Sequence, residues 1–344
     1  MHSVDASQPN MSTRTPQSRA ATPFVAVVAN GEAGRRRAPE IADAALAALP
    51  DWRVVVFSPT SAEQLSSVCA GLDAGRYHAA IVIGGDGTQH HALRGLRTSG
   101  VPLYPYPAGT ANDLSRAMGL DGSWPQVRRL LAGFAVRAID LIEANGIPFA
   151  TVGGLGLGAR VVADYNRSRR GLGGVLGENV YTYLTVKNTL LGRGTSTRVI
   201  LRTASHESQV DMLASFVCNQ PTLGGNLHVA RGALLDDGRI ETLVIPAGSR
   251  VATLRHLVGL RRAHCAPGCL SFAGQEVSFS STDGAPLPVF GDGETLASAA
   301  EVTFRVQPGA ASIFCEGSAR QVGGVDESRD GDSSPRRRWT GKAA

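Results

Sequence analysis

The amino-acid sequence predicts two structural units, an α/β unit built on a parallel sheet and a β-rich unit whose strands are mostly antiparallel. In the first part of the chain, short apolar runs alternate with helix-prone segments, which is typical of a parallel sheet covered by helices on both faces. After about Ile142, glycine becomes frequent and β-branched runs follow one another without a helix between each pair. That pattern is typical of antiparallel sheets and sandwiches. A chain of 344 residues that is 43% hydrophobic is long enough for one large domain or two medium ones.

The elements of the first unit follow from local sequence. Apolar and β-branched runs predict strands, and segments rich in Ala, Leu and Gln predict helices. The predicted strands occupy residues 24–29, 53–57, 79–83 and 101–106. The predicted helices occupy residues 39–49, 62–72, 89–97 and 112–118. Gly119 follows the last of these helices and is expected to end it.

The second unit is predicted from β-branched runs interrupted by two helical segments. The predicted strands occupy residues 198–202, 211–218, 241–245, 276–280 and 302–306, and the predicted helices occupy residues 178–191 and 250–262. We expect the α/β unit to cover residues 23–142, completed by a segment near 307–316, and the β-rich unit to cover residues 143–306. Residues 1–22 and 317–344 are expected to be disordered tails, the second of them basic.

Charge and composition limit the kinds of binding partner and the cellular compartment that we expect for this protein. The net charge of +5 suits an anionic membrane surface, a nucleotide or a nucleic acid. No interleaved basic and aromatic stripe, zinc-finger spacing or RNP-like segment is present, so we expect no nucleic-acid partner. Five scattered cysteines argue against a disulfide framework. Residues 1–22 lack an apolar signal-peptide core, and we therefore expect a cytoplasmic protein.

A group of His and Cys residues in the second unit invites comparison with a metal site. The group consists of His256, His264, Cys265 and Cys269. Its spacing does not match a four-ligand zinc motif, so the favoured interpretation is a loop with two free thiols.

The sharpest chemical signal is a glycine turn between a predicted strand and a predicted helix. It consists of Gly84, Gly85, Asp86, Gly87 and Thr88. Glycines in such a turn let a phosphate approach backbone N–H groups, and the N-terminus of the following helix favours the negative charge. Strand-to-helix turns use these residue types for purely structural reasons as well, so the turn alone leaves both interpretations open.

A second polar turn, at residues 107–113, also sits between a strand and a helix and contains Thr110, Asn112 and Asp113. In open α/β sheets, ligands bind outside the carboxyl ends of the strands, so the two turns predict a shared nucleotide crevice. Asp86 and Asp113 are candidates to hold Mg²⁺ through water, because magnesium bound to phosphates prefers hard oxygen ligands. The alternative is that Asn112 and Asp113 only cap a helix.

Together, these two turns and the following Arg116 resemble the catalytic domain of the diacylglycerol kinase family, which includes sphingosine and ceramide kinases and bacterial lipid kinases. The resemblance extends, in order, over residues 24–316. It implies a Rossmann-like nucleotide-binding unit of the NAD kinase and diacylglycerol kinase type, followed by a β-sandwich unit that receives the lipid.

The resemblance also implies roles for single residues. Asn30, Gly34 and Thr60 correspond to nucleotide-contacting positions, and residues 153–156 correspond to a glycine-rich start of the second unit. Asp140 corresponds to an acidic residue at the junction of the units and joins Asp86 among the catalytic candidates. Asp237 corresponds to the ligand of a structural metal, with the carbonyl groups of Leu234 and Arg239 nearby. Glu294, in a Gly-Asp-Gly-Glu segment, corresponds to the proposed general base, although that segment alone is also typical of a hairpin turn.

Several positions depart from the family pattern. Ala33 replaces the usual Ser of the first loop. After the glycine turn, Gln89, His90 and His91 stand where the family usually has Leu-Asn-Glu, so that His91 replaces the Glu. The change at His91 puts in doubt the affinity for the nucleotide or the preference for a particular nucleotide base. Arg231 replaces a usual Pro, for which the sequence gives no physical account.

The predicted function is therefore an ATP-dependent and Mg²⁺-dependent lipid kinase. The expected acceptor is a lipid alcohol such as diacylglycerol, and a sphingoid base remains open. A kinase related to NAD kinase or phosphofructokinase and a catalytically weak nucleotide- or lipid-binding regulator are the alternatives. We expect transient contact with the inner face of the membrane. Candidate contacts are Arg167, Arg169, Arg170, Arg336, Arg337 and Arg338. A homodimer stays open.

Overall fold

The computed structural model describes residues 23–29, 38–168, 180–191, 196–224, 227–264 and 267–316. These residues form 17 strands and eight helices. The strands are β1 (Phe24–Ala29), β2 (Arg53–Phe57), β3 (Tyr77–Gly84), β4 (Leu103–Pro107), β5 (Val136–Ala144), β6 (Ile147–Phe149), β7 (Val152–Gly156), β8 (Thr197–Thr203), β9 (His206–Cys218), β10 (Thr222–Leu223), β11 (Leu227–His228), β12 (Ile240–Pro246), β13 (Leu270–Gly274), β14 (Glu276–Ser281), β15 (Leu287–Gly291), β16 (Glu294–Ala299) and β17 (Glu301–Phe314). The helices are α1 (Ala38–Ala48), α2 (Ala62–Ala70), α3 (Asp86–Ser99), α4 (Asp113–Ala117), α5 (Trp124–Gly133), α6 (Leu157–Ser168), α7 (Val180–Leu190) and α8 (Arg250–Arg261). The predicted tails, Asn30 and Gly34 lie outside the described residues.

The first unit contains the predicted parallel sheet. Its strands lie in the order β4-β3-β1-β2, and each neighbouring pair is parallel. Ile81, Val82 and Ile83 of β3 are fully buried, as a continuous apolar run in a parallel strand requires. All four strand predictions and all four helix predictions of this unit are confirmed, with shifts of a few residues at the ends.

Strand β4 carries two prolines, Pro105 and Pro107. It pairs with β3 along its length but meets β17 only at the single pair Leu103 and Ile313. Because one edge of β4 is largely unpaired, the missing N–H groups of the two prolines are tolerated there.

The second unit is antiparallel, as predicted. Its strands follow the order β16-β15-β7-β9-β8-β14-β17, and β12 joins β9 to β13. Its core contains several fully buried aromatic side chains, among them Phe279, Phe290 and Phe304. The fold class is thus a mixed α/β unit followed by a β-sandwich-like unit.

Strand β17 joins the two units. Its first residues pair with β14, most of its length pairs with β5, and Ile313 near its end reaches β4 of the first sheet. A bulge around Gly309 divides the strand between Gln307 and Ala311. The segments predicted separately at 302–306 and 307–316 are therefore one continuous strand, and the domain boundaries stay predictions.

The sequence did not predict helices α5 and α6, the nine-residue strand β5 or seven shorter strands. Helix α6 contains Gly158 and the β-branched pair Val161 and Val162, which weaken its helical signal. Its glycine lies against Phe290 and Phe216, and a Cβ there would approach the Phe290 ring to 2.9 Å. Packing against the second sheet therefore outweighs the weak local propensity.

Within the described residues, the helices are too short or too polar to cross a membrane.

Helices α2 and α3 pack closely because Gly95 of α3 has no side chain. A Cβ at Gly95 would overlap the carbonyl oxygen of Ser66 and approach the Cβ of Cys69 to 2.7 Å. Ser66 also donates a hydrogen bond of 2.7 Å to the carbonyl of His91 on α3. The close approach of the two helices thus depends on glycine at position 95.

We expect Gly95→Ala to lower the free energy of unfolding by about 1–3 kcal/mol, the usual cost of overpacking, although alanine is the better helix former. Denaturant unfolding followed by circular dichroism measures the change. Gly133→Ala is the matched control, since a Cβ at Gly133 has no neighbour within 4 Å. Equal stability of the two variants would contradict the packing interpretation.

Candidate functional site

The two glycine turns predicted from sequence meet at the carboxyl ends of β3 and β4. The N–H of Ala108 donates to the carbonyl of Gly84 at 3.0 Å. A Cβ on Gly109 would overlap the Cα of Gly85, and a Cβ on Gly84 would overlap the side chain of Thr88. Glycine is therefore required at Gly84 and Gly109 for backbone packing, before any phosphate is considered.

The carboxylate of Asp86 ties the first turn to the second. Its Oδ2 accepts the N–H of Asn112 at 3.0 Å, and its Oδ1 accepts the N–H of Asp113 at 2.6 Å. Burial raises the pKa of Asp86 to about 6, the N–H groups of Asp113 and Asn112 oppose the rise, and the nearby charge of Asp292 adds to it. The side chain that was predicted to serve a metal thus also caps the N-terminus of α4.

The second turn is closed by its own side chains. Asn112 has a left-handed backbone with φ of 51°, and its amide bonds both the N–H and the carbonyl of Gly109. Asp113 is buried, and its Oδ2 accepts the N–H of Gly224 from the second unit at 2.7 Å. Thr110 is exposed beside this turn. The turn therefore shapes the crevice and contacts both units.

A buried carboxylate, Asp292, lies where the Gly-Asp-Gly-Glu segment meets the first unit. It accepts the N–H groups of Ala150 and Thr151 and the hydroxyl of Thr151, all within 3.1 Å. Its Oδ2 lies 3.2 Å from Nδ1 of His90 on α3. Burial acts to raise the pKa of Asp292, but the hydrogen bonds from His90, Thr151 and Ala150 outweigh it and hold the pKa below its ordinary value.

Glu294, the predicted base, is half-buried two residues after Asp292 and follows a turn with positive φ at Asp292 and Gly293. Its Oε2 lies 3.4 Å from Nδ2 of Asn166 on α6, which also donates to the carbonyl of Gly293 at 3.3 Å. Asn166 is placed to orient the Glu294 carboxylate, and the base assignment stays a prediction.

Asp140 occupies a different place from the glycine turns. Its carboxylate accepts the N–H of Gly238 at 2.7 Å and the N–H of Gly309 at 2.8 Å. Its backbone N–H donates to the carbonyl of Leu235, and its carbonyl accepts the amide of Asn219. Asp140 therefore holds β5, the acidic turn and the bulge of β17 together, and its catalytic role stays a prediction.

The acidic turn predicted as a metal site is exposed. Asp237 accepts the N–H of Arg239 at 3.1 Å, and the partial burial of its carboxylate, with a contribution from the charge of Asp140, raises its pKa. The neighbouring Asp236 forms an ion pair with the buried Arg137. Across the described ranges, no three His, Cys, Asp or Glu side chains are placed to hold a metal. The site formed with Leu234 stays a prediction based on one carboxylate and two carbonyl groups.

The remaining predicted positions are peripheral or outside the described residues. Thr60 is exposed before α2, and its N–H and hydroxyl both donate to Gln64. His91 is half-buried with its ring 5.1 Å from that of His90, and Arg231 is exposed. Nothing in the structure explains the arginine at position 231.

The His and Cys group does not assemble a four-ligand site among the described residues. The Sγ of Cys269 lies 3.4 Å from Nδ1 of His256, whereas His264 is exposed and Cys265 lies outside the described part of the chain. Burial lowers the pKa of His256, and Arg255 adds to this shift. A neutral imidazole paired with a thiol fits these surroundings.

An apolar cavity of about 590 Å³, counted out to its open mouth, lies in the second unit. Helices α6, α7 and α8 and strands β9 to β12 contribute its walls. Its apolar lining includes Leu157, Val162, Leu213, Phe216, Leu223 and Leu260. The polar side chains in the lining are Thr185, Thr253 and His256. Such a cavity suits a hydrocarbon chain and not a charged group.

Sequence reasoning missed His90, Asn166 and Thr151. His90 was visible as a departure from the family pattern, next to His91, but its partner lies 202 residues away. Asn166 lies in a helix that the sequence did not predict. No local pattern marks these contacts, because the partners of all three residues lie more than a hundred positions away in the sequence.

Comparisons with known proteins cover both units. Residues 24–144 match the family model of the diacylglycerol kinase catalytic domain, and residues 151–315 match the model of the YegS C-terminal NAD kinase beta sandwich-like domain. A protein named "Probable lipid kinase YegS-like" from Pseudomonas syringae pv. syringae (strain B728a) is 29% identical over 269 residues, which is 75% of this chain and 82% of that protein. A protein of the same name from Pseudomonas fluorescens (strain Pf-5) is 32% identical over 51% of this chain and 58% of its own length.

Solved structures share the fold. A crystal structure of a diacylglycerol kinase from Bacillus anthracis str. Sterne has a TM-score of 0.61 at 17% identity, covering 85% of this chain and 97% of that one. Yeast NADH kinase complexed with NADH has a TM-score of 0.51 at 11% identity, covering 93% of this chain and 91% of that one.

We expect Asp140→Asn to lower the free energy of unfolding by about 1–3 kcal/mol, because the amide NH₂ must face one of the two N–H donors and leave it unsatisfied. Urea unfolding measures the loss. Asp51→Asn is the control, since Asp51 is exposed and its ion pair with Arg128 spans 3.6 Å. A variant as stable as the parent that loses only turnover would instead favour the catalytic role predicted for Asp140.

Proposed function

We propose that this chain, which belongs to the diacylglycerol kinase catalytic-domain family of lipid kinases, transfers the γ-phosphate of ATP to the hydroxyl group of a lipid. The family membership rests on the matches to both units. The nucleotide, the metal and the lipid are the proposed part, and they are supported by the geometry of the site.

The observation that carries the proposal is the course of helix α6. Gly158, Val161 and Val162 of this helix line the apolar cavity. Asn166, one turn beyond Val162 and about 6 Å along the helix axis, contacts Glu294. A lipid whose chain occupies the cavity therefore presents its polar end toward a carboxylate.

The proposed binding of the ATP phosphates is supported by the N-terminus of α3. This helix begins at Asp86, directly after the glycine turn, so its first N–H groups and its dipole favour an anion there. His90, one turn into α3, bonds Asp292 of the Gly-Asp-Gly-Glu segment. The contact of this helix with that segment supports a site in which the phosphates of ATP and Glu294 are neighbours.

Magnesium fits the donor set of the two turns through water. Two acceptor positions of the Asp86 carboxylate are taken by backbone N–H groups, and the remaining lone pairs are available to a hydrated cation. Asp113, whose backbone N–H donates to Asp86, supplies a second carboxylate. When bound with ATP, Mg²⁺ neutralises phosphate charge.

The chain's own chemistry is positioning and proton transfer. Glu294 accepts the proton of the lipid hydroxyl as the oxygen attacks the γ-phosphorus, the bond from the γ-phosphorus to the bridging oxygen breaks, and ADP leaves. Asn166 holds the Glu294 carboxylate in place. The backbone N–H groups of the glycine turn hold the phosphates. Closure of the crevice by both units limits the access of water, which would otherwise compete as the acceptor.

Purified protein incubated with γ-labelled ATP, Mg²⁺ and a panel of lipid alcohols tests the proposal by the appearance of labelled lipid. The panel contains diacylglycerol, monoacylglycerol, phosphatidylglycerol and a sphingoid base. Efficient labelling of NAD, or of a sugar phosphate, with no labelled lipid would support a small-molecule kinase instead. Nucleotide binding with no labelled product from any acceptor would support a regulator.

We expect Glu294→Gln to lower turnover at least about a hundredfold, because general-base contributions run to roughly 10²–10⁴-fold. Affinity for ATP should stay within twofold, since Glu294 lies in the second unit. The labelled-lipid assay gives turnover and equilibrium dialysis gives affinity. Glu301→Gln, an exposed change on β17, is the control. Retention of most activity by Glu294→Gln would remove Glu294 as the base.

We expect Ala214→Phe, which places a ring in the apolar cavity, to raise KM for a long-chain lipid by about tenfold or more. The lost burial of two methylene groups accounts for this, at about 0.8 kcal/mol each. Ala214 is buried and lines the cavity. A short-chain analogue that does not reach position 214 is the internal control. An equal change in KM for both lipids would show that the hydrocarbon chain binds elsewhere.

A further inference from the structure

The outer faces of helices α7 and α8 carry apolar and basic side chains together. On α8, Val251 and Val258 are 67% and 48% exposed. Arg255 of the same helix and Arg262, which caps its C-terminus, are exposed and continue the stripe at intervals of three and four residues. Large exposed apolar side chains in one contiguous stripe mark a contact surface.

Helix α7 repeats this arrangement. Tyr183, Lys187, Leu190 and Leu191 recur at intervals that place them on one face, and all four are exposed. Leu190 and Leu191 are 56% and 55% exposed. The two helices pack against each other, so their stripes form one surface, which we call the α7–α8 face.

The α7–α8 face lies on the outside of the cavity wall. Thr253, Leu257 and Leu260 of α8 and Thr185 of α7 line the apolar cavity from within. The stripes of Val, Leu, Tyr, Arg and Lys occupy the opposite sides of the same two helices. Whatever binds the outer face is therefore separated from the cavity by one layer of helix.

The charge on this face has one sign. Residues 180–191 and 250–264 contain no Asp or Glu, whereas they contain Lys187, Arg250, Arg255, Arg261 and Arg262. Asp164 of α6 is a carboxylate that contacts α7, since it accepts a hydrogen bond from Asn188. Asp164 also accepts a hydrogen bond from Arg167 of its own helix. Basic side chains flanking exposed apolar ones are the pattern of a helix that lies on an anionic bilayer.

We propose that the α7–α8 face docks on the surface of an anionic lipid bilayer, with the valines and leucines at the headgroup boundary and the arginines among the phosphates. A second copy of this chain fits less well, because a two-fold interface would bring the same basic stripes together without a carboxylate on either helix. Docking in this orientation turns the wall of the apolar cavity toward the membrane. The link to catalysis rests on the proposed function, whereas the docking itself does not.

This surface differs from the contacts expected from sequence. Arg167 is engaged with Asp164, and the other arginines named as candidates lie outside the described residues. Those candidates stay predictions.

Co-sedimentation of the full chain with vesicles of phosphatidylglycerol and phosphatidylcholine tests the proposal. Each basic residue near an anionic surface contributes about fivefold to binding, so Arg255→Gln with Arg262→Gln should weaken the partition into vesicles by about 25-fold. Val251→Glu with Val258→Glu should abolish it. High salt should weaken binding of the parent protein, and vesicles of phosphatidylcholine alone should bind it little.

Matched controls lie on the first unit. Leu46→Glu changes an apolar side chain of α1 that is 54% exposed, and Arg128→Gln removes an exposed charge from α5. Both should bind vesicles like the parent. Circular dichroism verifies that every variant is folded. Binding by the α8 variants equal to that of these controls overturns the proposal, and so does conversion of a dimer into a monomer by the α8 variants with unchanged vesicle binding.

The same variants separate this proposal from the kinase function. Activity toward a short-chain lipid in detergent should be unchanged by the α8 substitutions, because they face away from the cavity. Loss of vesicle binding with retained activity in detergent supports both proposals. Vesicle binding that depends on α8 in a protein that phosphorylates no lipid would leave the docking face standing and overturn the kinase proposal alone.

Discussion

Buried carboxylates that accept several hydrogen bonds each fix the turns and loops around the predicted site. A charged group removed from water must be fully hydrogen-bonded, and backbone N–H groups meet this need in a fixed geometry. Asp86 joins the two glycine turns, Asp292 joins the Gly-Asp-Gly-Glu segment to α3, and Asp140 joins β5 to the bulge of β17. The contact between Asp292 and His90 joins the two units, and Asp86 and Asp140 fix the backbone of the segments that they connect.

Asp86 and Asp292 both fix the backbone and contribute charge to the site, and mutation cannot easily separate these two roles. Asp86 is close enough to Asp292 for their charges to interact, yet the pKa of Asp86 is raised and that of Asp292 is lowered. The difference follows from hydrogen bonding, since Asp292 accepts from His90 and from a hydroxyl in addition to backbone N–H groups. A substitution at either residue disturbs the backbone as well as the charge, so stability and turnover must be measured together.

The sequence predicted the elements that rest on local pattern and missed those that rest on packing. Buried strands such as β3 are continuous apolar runs, and the glycine turns are visible from their composition. Helix α6 was hidden because Gly158 and its valines serve the contact with Phe290 and the cavity rather than helix formation. His90 and Asn166 were missed for a related reason, since their partners come from residues more than a hundred positions away. Asn30 and Gly34 lie outside the described residues, so their predicted contact with nucleotide stays a prediction.

The course of β17 has a consequence for how the protein is made. Residues 301–314 supply the strand that pairs with β5 and touches β4, so the first sheet cannot acquire its last neighbour until nearly all of the described chain has left the ribosome. Contacts that join segments so distant in sequence form slowly, because the entropy of closing the intervening chain must be lost first. Until then, one side of β5 exposes unpaired N–H and carbonyl groups, which can pair with other chains. The nascent first unit therefore carries an open strand edge throughout the synthesis of the second unit.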